Sequence, residues 1–276
     1  MVAEFFTIVS TINTGIEIYE ASKKVQSKVK MFYKYLTDGK VNVVFFGPGG
    51  VGKTTLALFL TDNDNFRKPE YIESGRDEKI KIGKNIIGNY WVAPGQTRRI
   101  EKYWPQIYRA ISAGKTKIII NIVSYGYHSI EQSITSHKEL KDYYKSGMNE
   151  ERFIKVYLEK RREEEIRIIN ELKHRIKDTK VEIKMITLVT KQDIWWNERE
   201  IVKEYYLKGD YNEAIDEIIR HKGASHFEHS YISTSLLSNN FKIGTDINKN
   251  VTEGYDESIR ISNNRNLLNQ LEAFLK

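Results

Sequence analysis

Val41-Asn42-Val43-Val44-Phe45-Phe46 runs straight into Gly47-Pro48-Gly49-Gly50-Val51-Gly52-Lys53-Thr54, and this stretch decides the fold. The apolar, β-branched and aromatic run has strand character, and Thr54 to Leu60 behind the loop has helix character. Between them stand Gly47, Gly49, Gly50 and Gly52. A chain that wraps an anion needs glycines, because its backbone must approach without side chains and take conformations open mainly to glycine. The amides of the loop and of the helix start, through Val51, Lys53, Thr54 and Thr55, then face a phosphate group. Lys53 is placed to reach the β- and γ-phosphates, and the Thr54 hydroxyl is the expected Mg²⁺ ligand. The stretch predicts a strand, a phosphate loop and a helix, and hence a bound nucleoside triphosphate.

Outward from this unit, strand-like runs recur at Ile86 to Val92, Lys117 to Val123, Ile183 to Thr190 and Tyr231 to Ser233. Helical stretches alternate with them, notably Glu150 to Lys177 and Leu267 to Leu275. Strands alternating with helices predict a mostly parallel sheet covered on both faces, a three-layer α/β P-loop NTPase fold. The segment of about 125–180 exceeds an ordinary crossover. It is expected to hold a loop over 125–147 and one long, solvent-washed helix, dense in Glu, Lys and Arg. Asn239 to Tyr255 reads as a polar loop before the last helix.

The chain has 276 residues, 40% of them hydrophobic, enough for one large domain with an added arm. Its 44 basic and 37 acidic side chains give a net charge of +7, which suits an acidic partner such as a phosphate ligand or an anionic membrane. No basic, aromatic-rich motif argues for nucleic acid. With no cysteine, disulfides, thiolate metal sites and thiol nucleophiles are excluded. No apolar run reaches the roughly 20 residues of a membrane span, and residues 1–10 lack the form of a secretion signal, so a cytoplasmic location is expected.

Phosphate binding alone does not select the base. Thr190-Lys191-Gln192-Asp193 follows the apolar run Met185 to Val189, and a carboxylate there can accept both N–H groups of guanine's N1 and N2, which adenine cannot offer. At this point the chain resembles the small GTPases of the translation-factor-related class, whose guanine motif is Asn or Thr, Lys, any residue, Asp. Trp91-Val92-Ala93-Pro94-Gly95-Gln96, followed by Ile100, Trp104 and Tyr108, is similar to the second switch of Ras- and Arf-type members. The resemblance implies that Gly95 donates its backbone N–H to the γ-phosphate and that Gln96 is the catalytic residue orienting the attacking water. It also implies that Ser233 and Thr234, in Ser233-Thr234-Ser235, supply backbone contacts to guanine O6. It covers about residues 40–276 and implies GTP/GDP and Mg²⁺ as ligands, with a protein partner reading the switch loops.

Two departures stand out. Val92 replaces the switch aspartate that holds Mg²⁺ through water, and no threonine lies between Asp62 and Trp91, leaving Ser74 as the nearest hydroxyl to serve as the first switch. Losing a metal-shell carboxylate slows phosphoryl transfer. A regulatory GTPase, a slowly or non-hydrolysing GTP-binding assembly module, and an ATPase in which Asp193 plays no part therefore remain as readings. Arg98 and Arg99 are candidates to stabilise developing charge, though such arginines are more often solvated. The six histidines, His128 and His137 included, show no metal spacing. Trp195 and Trp196, just after Asp193, could pack beside the base, but their large apolar area favours the core.

Residues 1–38 read as an N-terminal helical arm on a Ras-like domain spanning 39–276. Phe5, Val9, Ile12, Ile16, Tyr19, Val25, Val29, Phe32 and Leu36 form its apolar stripe, and Lys23, Lys24, Lys28, Lys30 and Lys34 its basic side. Such a helix packs on the protein's own core, docks on a partner or lies on an anionic membrane through residues 1–36.

Overall fold

A computed structural model describes residues 20, 23–31, 43–60, 78–79, 90–92, 97–114, 118–128, 148–238, 241–243, 247–249 and 251–275. Six strands form one sheet: β1 (Val43–Phe46), β2 (Glu78–Lys79), β3 (Tyr90–Val92), β4 (Ile118–Val123), β5 (Ile183–Val189) and β6 (Phe227–Ser233). Their order is β2-β3-β1-β4-β5-β6. Among the described residues of this sheet, only the two-residue β2 runs antiparallel to its neighbour. Around the sheet lie α1 (Lys53–Leu60), α2 (Thr97–Ser112), α3 (Glu150–Ile176), α4 (Gln192–Trp195), α5 (Arg199–Lys208), α6 (Asp210–Lys222) and α7 (Glu257–Leu275). This is a three-layer P-loop NTPase fold with a mostly parallel central sheet.

The layering follows from side-chain alternation along strands buried on both faces. Val44, Phe46, Ile119, Val123, Met185 and Val189 join one core with α2, α3, α5 and α6. Val43, Phe45, Ile118, Ile120, Ile122, Ile186 and Leu188 join the other with α1 and α7. On the first face the Phe46 ring meets Trp104 edge-on, with centroids 4.8 Å apart, and stacks on Tyr108 at 5.9 Å. That packing ties α2 to the strand that feeds the phosphate loop. The second face also receives Val25 and Val29 from the helical segment 23–31, and Lys28 pairs with Glu272 of α7 at 3.0 Å. The remaining parts of the arm, including Phe32, Lys34 and Leu36, lie outside the described residues.

Several expectations are corrected. β6 begins at Phe227, four residues before Tyr231, and α7 at Glu257, ten before Leu267. The polar stretch before α7 contains a small antiparallel pair, β7 (Phe241–Ile243) and β8 (Ile247–Lys249). Helix α3 is not washed by solvent all round: Phe153, Tyr157, Glu165, Ile168, Ile169, Leu172 and Ile176 are buried along one face. Its charged pairs, such as Lys160–Glu163 at 2.8 Å and Arg175–Glu171 at 3.0 Å, occupy the other side. Asn149 caps it, its Oδ1 accepting from the Arg152 N–H at 2.9 Å.

If segment 23–31 owes its place to burial of Val29, Val29→Ala removes two methylene equivalents from a closed core and lowers stability by about 1.5 kcal/mol. Urea unfolding checks this, and an unchanged midpoint would show that the segment does not depend on that packing.

Candidate nucleotide site

The strand order reverses around β1, with β3 on one side and β4 on the other. In open α/β sheets a ligand crevice forms outside the carboxyl ends of the strands at such a reversal. Here the phosphate loop leaves β1 at that point. Gly47 has φ +133°, and a Cβ on it would lie 2.0 Å from the Ile122 carbonyl oxygen of β4, so no side chain fits. Gly50 and Gly52 also take positive φ, 77° and 93°. The Leu56 N–H donates to the Gly52 carbonyl at 2.9 Å, so α1 winds directly from the loop and aims its N-terminus at the crevice.

Lys53 is buried, and its Nζ donates to the Gly47 and Pro48 carbonyls at 2.9 and 2.5 Å. Burial pushes its ammonium down to about 7, while the negative charge of Glu164 opposes that shift. Thr54 and Thr55 are half-buried on the first turn of α1. A triphosphate fits this cradle through backbone amides, one cation and the helix dipole. For Mg²⁺ the chain supplies the Thr54 hydroxyl. Among the described residues no cluster of three or more carboxylates and imidazoles is placed to hold a metal, so phosphate oxygens and water would complete the shell.

The guanine-type motif comes to the same edge. The Thr190 hydroxyl is placed to donate to the Val51 carbonyl of the phosphate loop at 2.8 Å and to the Val123 carbonyl of β4 at 3.1 Å. Lys191 takes the left-handed conformation, φ 59°, and its Nζ donates to the Tyr127 carbonyl at 2.5 Å. Asp193 is buried and its Oδ1 accepts from the Ser235 hydroxyl at 2.5 Å. Trp195 is core and donates its indole N–H to the Thr190 carbonyl at 2.9 Å, whereas Trp196 is half-buried and packs on Tyr255. Ser233 ends β6 and accepts from the Gln192 side chain at 2.9 Å. The Thr234 N–H donates to the Val189 carbonyl at 2.9 Å, and its hydroxyl donates to Asn264 at 2.7 Å.

Val92 closes β3 in register with Phe45, two residues before Gly47, and Arg98 and Arg99 fall in the first turn of α2. Gly95, Gln96, Ser74 and His137 lie outside the described residues.

Sequence reasoning missed a second layer beneath the site. Helix α3 sends Glu165, fully buried, under the exit of β4. Its Oε1 accepts from the Ser124 N–H at 2.9 Å, the Gly126 N–H at 3.2 Å and His128 Nε2 at 2.9 Å. Its Oε2 accepts from the Tyr206 hydroxyl of α5 at 2.5 Å. Burial pushes the His128 imidazolium down, against the pull of Glu165, so the ring is neutral at physiological pH and donates from Nε2. The network fixes the 124–128 turn, with Tyr125 at φ 53° and Gly126 at φ 83°, and that turn presents the carbonyl on which Lys191 rests. Within Arg161 to Arg167 nothing marks Glu165 off from Glu163 or Glu164. Ser235 was within sight, being the third hydroxyl of Ser233-Thr234-Ser235.

No protein-family model matches the chain, and no curated protein matches it. Among solved structures it is similar to an ADP-ribosylation-factor-like GTP-binding protein, the small COPII coat GTPase SAR1 of Encephalitozoon cuniculi in complex with GDP. That match has 12% identity and a TM-score of 0.36, and it covers 97% of this chain and 96% of the other. The fold assignment rests on the strand order and the loop geometry described above.

Contact with a triphosphate restores the Lys53 ammonium, so its pKa is higher in the complex than in the nucleotide-free protein. Between those two values binding takes up a proton, and affinity therefore falls as pH rises above about 7. Titrations from pH 7.5 to 9 should show affinity for a nucleoside triphosphate dropping by up to about tenfold per pH unit, with the slope lost in Lys53→Gln. A flat wild-type profile would contradict the assignment.

Proposed function

We propose that this chain binds a guanine nucleotide with Mg²⁺ and acts as a regulatory switch that hydrolyses GTP slowly. The observation that carries the proposal is the joining of two motifs distant in sequence. The Thr190 hydroxyl bonds to the phosphate loop at Val51, three residues before a buried carboxylate, Asp193, that Ser235 holds in place. One nucleotide then has its phosphates on Gly47, Gly49, Gly50, Val51, Gly52, Lys53, Thr54 and Thr55 and its base at Asp193, with Lys191, Ser233 and Thr234 alongside.

On this proposal Gly95 meets the γ-phosphate through its backbone and Gln96 orients the attacking water. Thr54 holds Mg²⁺, which supplies charge neutralisation on the phosphates. Val92, at the end of β3 beside the loop, offers the metal shell no oxygen, which supports slow turnover. The same substitution favours a second reading, a GTP-binding assembly module that acts by being loaded. In either case a protein partner reads the segments that follow β3 and α1. Contact of residues 1–36 with an anionic membrane of the cytoplasm also belongs to the proposal. The exposed Lys23, Lys24 and Lys30 support it, while Val25 and Val29 are already committed to the core.

Calorimetric titration should give at least about a hundredfold preference for GTP over ATP, as expected where a buried polar group is left unpaired by the wrong base. Equal affinity for both would defeat the guanine assignment. Phosphate release by wild type and Gln96→Ala separates the two readings. The switch predicts turnover that drops roughly a hundredfold in the variant, whereas the slowly or non-hydrolysing assembly module predicts that the substitution leaves its slow or absent turnover unchanged.

A further inference from the structure

The carboxylate of Asp193 stands on a very small element. Helix α4 has four residues, Gln192–Trp195, and follows Lys191, which takes the left-handed conformation and makes no side-chain cap. An α-helix leaves its last four carbonyls without a partner further along the same helix, and in α4 these are all it has, Asp193 and Ile194 included. A single turn has little stability of its own, so its surroundings decide where it sits.

Gln192 ties the start of α4 to the end of β6, its N–H donating to the Thr234 carbonyl at 3.4 Å and its side chain to the Ser233 hydroxyl at 2.9 Å. The next two residues are held from a distant segment. The Thr252 N–H donates to the Asp193 carbonyl at 2.7 Å, and the Thr252 hydroxyl donates to the Ile194 carbonyl at 2.8 Å. Thr252 thus caps two consecutive carbonyls of α4. A turn keeps it there: the Tyr255 N–H donates to the Thr252 carbonyl at 3.2 Å, and the Tyr255 ring meets Trp196 edge-on, with centroids 5.5 Å apart. The excursion that carries β7 and β8 is therefore closed on Asp193 at both ends. Ser235, just past β6, donates its hydroxyl to the Asp193 carboxylate at 2.5 Å, and Thr252, after β8, donates to the backbone of the same residue. None of the bonds described for the phosphate loop, from Lys53, Leu56 or Thr190, involves residues 251–255.

We propose that Thr252 is a positioning residue for the base, fixing through its N–H and hydroxyl the turn that aims Asp193 at the N1 and N2 hydrogens of guanine. This rests on the guanine reading of Asp193. A carboxylate that accepts two hydrogen bonds from one edge of a ring tolerates little tilt, because each bond weakens steeply away from its preferred angle. Thr252 acts through Asp193 and Ile194 and touches no part of the nucleotide. Its loss is felt at the base and not at the phosphates.

The test compares wild type with Thr252→Val, which deletes the hydroxyl while keeping the side chain's shape and the backbone N–H, and with Thr252→Ser, which restores the hydroxyl. By calorimetry at constant Mg²⁺, GTP affinity should fall about five- to tenfold in Thr252→Val, the weight of one hydrogen bond. Affinity for inorganic triphosphate should keep its wild-type value, and the preference for GTP over ATP should shrink with the GTP affinity. Thr252→Ser should bind GTP like wild type. A purely structural role would lower the thermal midpoint without separating GTP from inorganic triphosphate. Unchanged GTP affinity in Thr252→Val, a loss shared equally by GTP and inorganic triphosphate, or no recovery in Thr252→Ser overturns the role of Thr252 and leaves Asp193 untouched. If wild type itself binds ATP as tightly as GTP, the guanine reading fails first and the inference goes with it.

Discussion

The approach of Gly47 to Ile122 is the constraint on which the rest of the site depends. A Cβ at Gly47 would stand 2.0 Å from the Ile122 carbonyl oxygen, and the residue's φ of +133° is closed to ordinary side chains. With a side chain there, β1 could not leave the sheet so close to β4. The loop amides, Lys53 and the start of α1 would then lose their common focus. A single atom's worth of space between two parallel strands thus decides whether the reversal of strand order at β1 becomes a crevice.

Buried polar side chains tie together the segments around that crevice. Thr190 lies at the junction of β4, β5 and the phosphate loop: its N–H donates to the Val123 carbonyl at 2.8 Å, which leaves its hydroxyl free to donate to the Val51 carbonyl of the loop at 2.8 Å. Glu165 does the same for the turn after β4, gathering donors from Ser124, Gly126, His128 and Tyr206. Removing a partner from such a network leaves buried donors unpaired and costs about 3–5 kcal/mol, whereas its net contribution to stability is small. Its benefit is positional, since Lys191 can rest on Tyr127 only while the turn keeps its left-handed residues.

The sequence shows what is local. Gly47 to Thr54 announces its loop because glycine, lysine and threonine are each demanded by the same short piece of backbone. The strands show as apolar runs, although Val43 to Phe46, buried on both faces, gives no sign of which side chain faces which layer. Long-range choices are hidden. Glu165 sits in a row of like charges, and only the packing of α3 on the sheet decides that it turns inward while Glu163 turns out. The stretch before α7 looks like a polar loop, and nothing local in it shows that Thr252 bonds to the backbone of Asp193 and Ile194 in α4, about 60 positions away.

The central claim is that the phosphate loop and Asp193 form one site for a single nucleotide. Measuring GTP and inorganic triphosphate affinity side by side in wild type and Asp193→Ala tests it most directly. The account predicts that the substitution weakens GTP roughly a hundredfold and leaves inorganic triphosphate unchanged, because only GTP carries a base to lose. Equal weakening of both, or of neither, would contradict it.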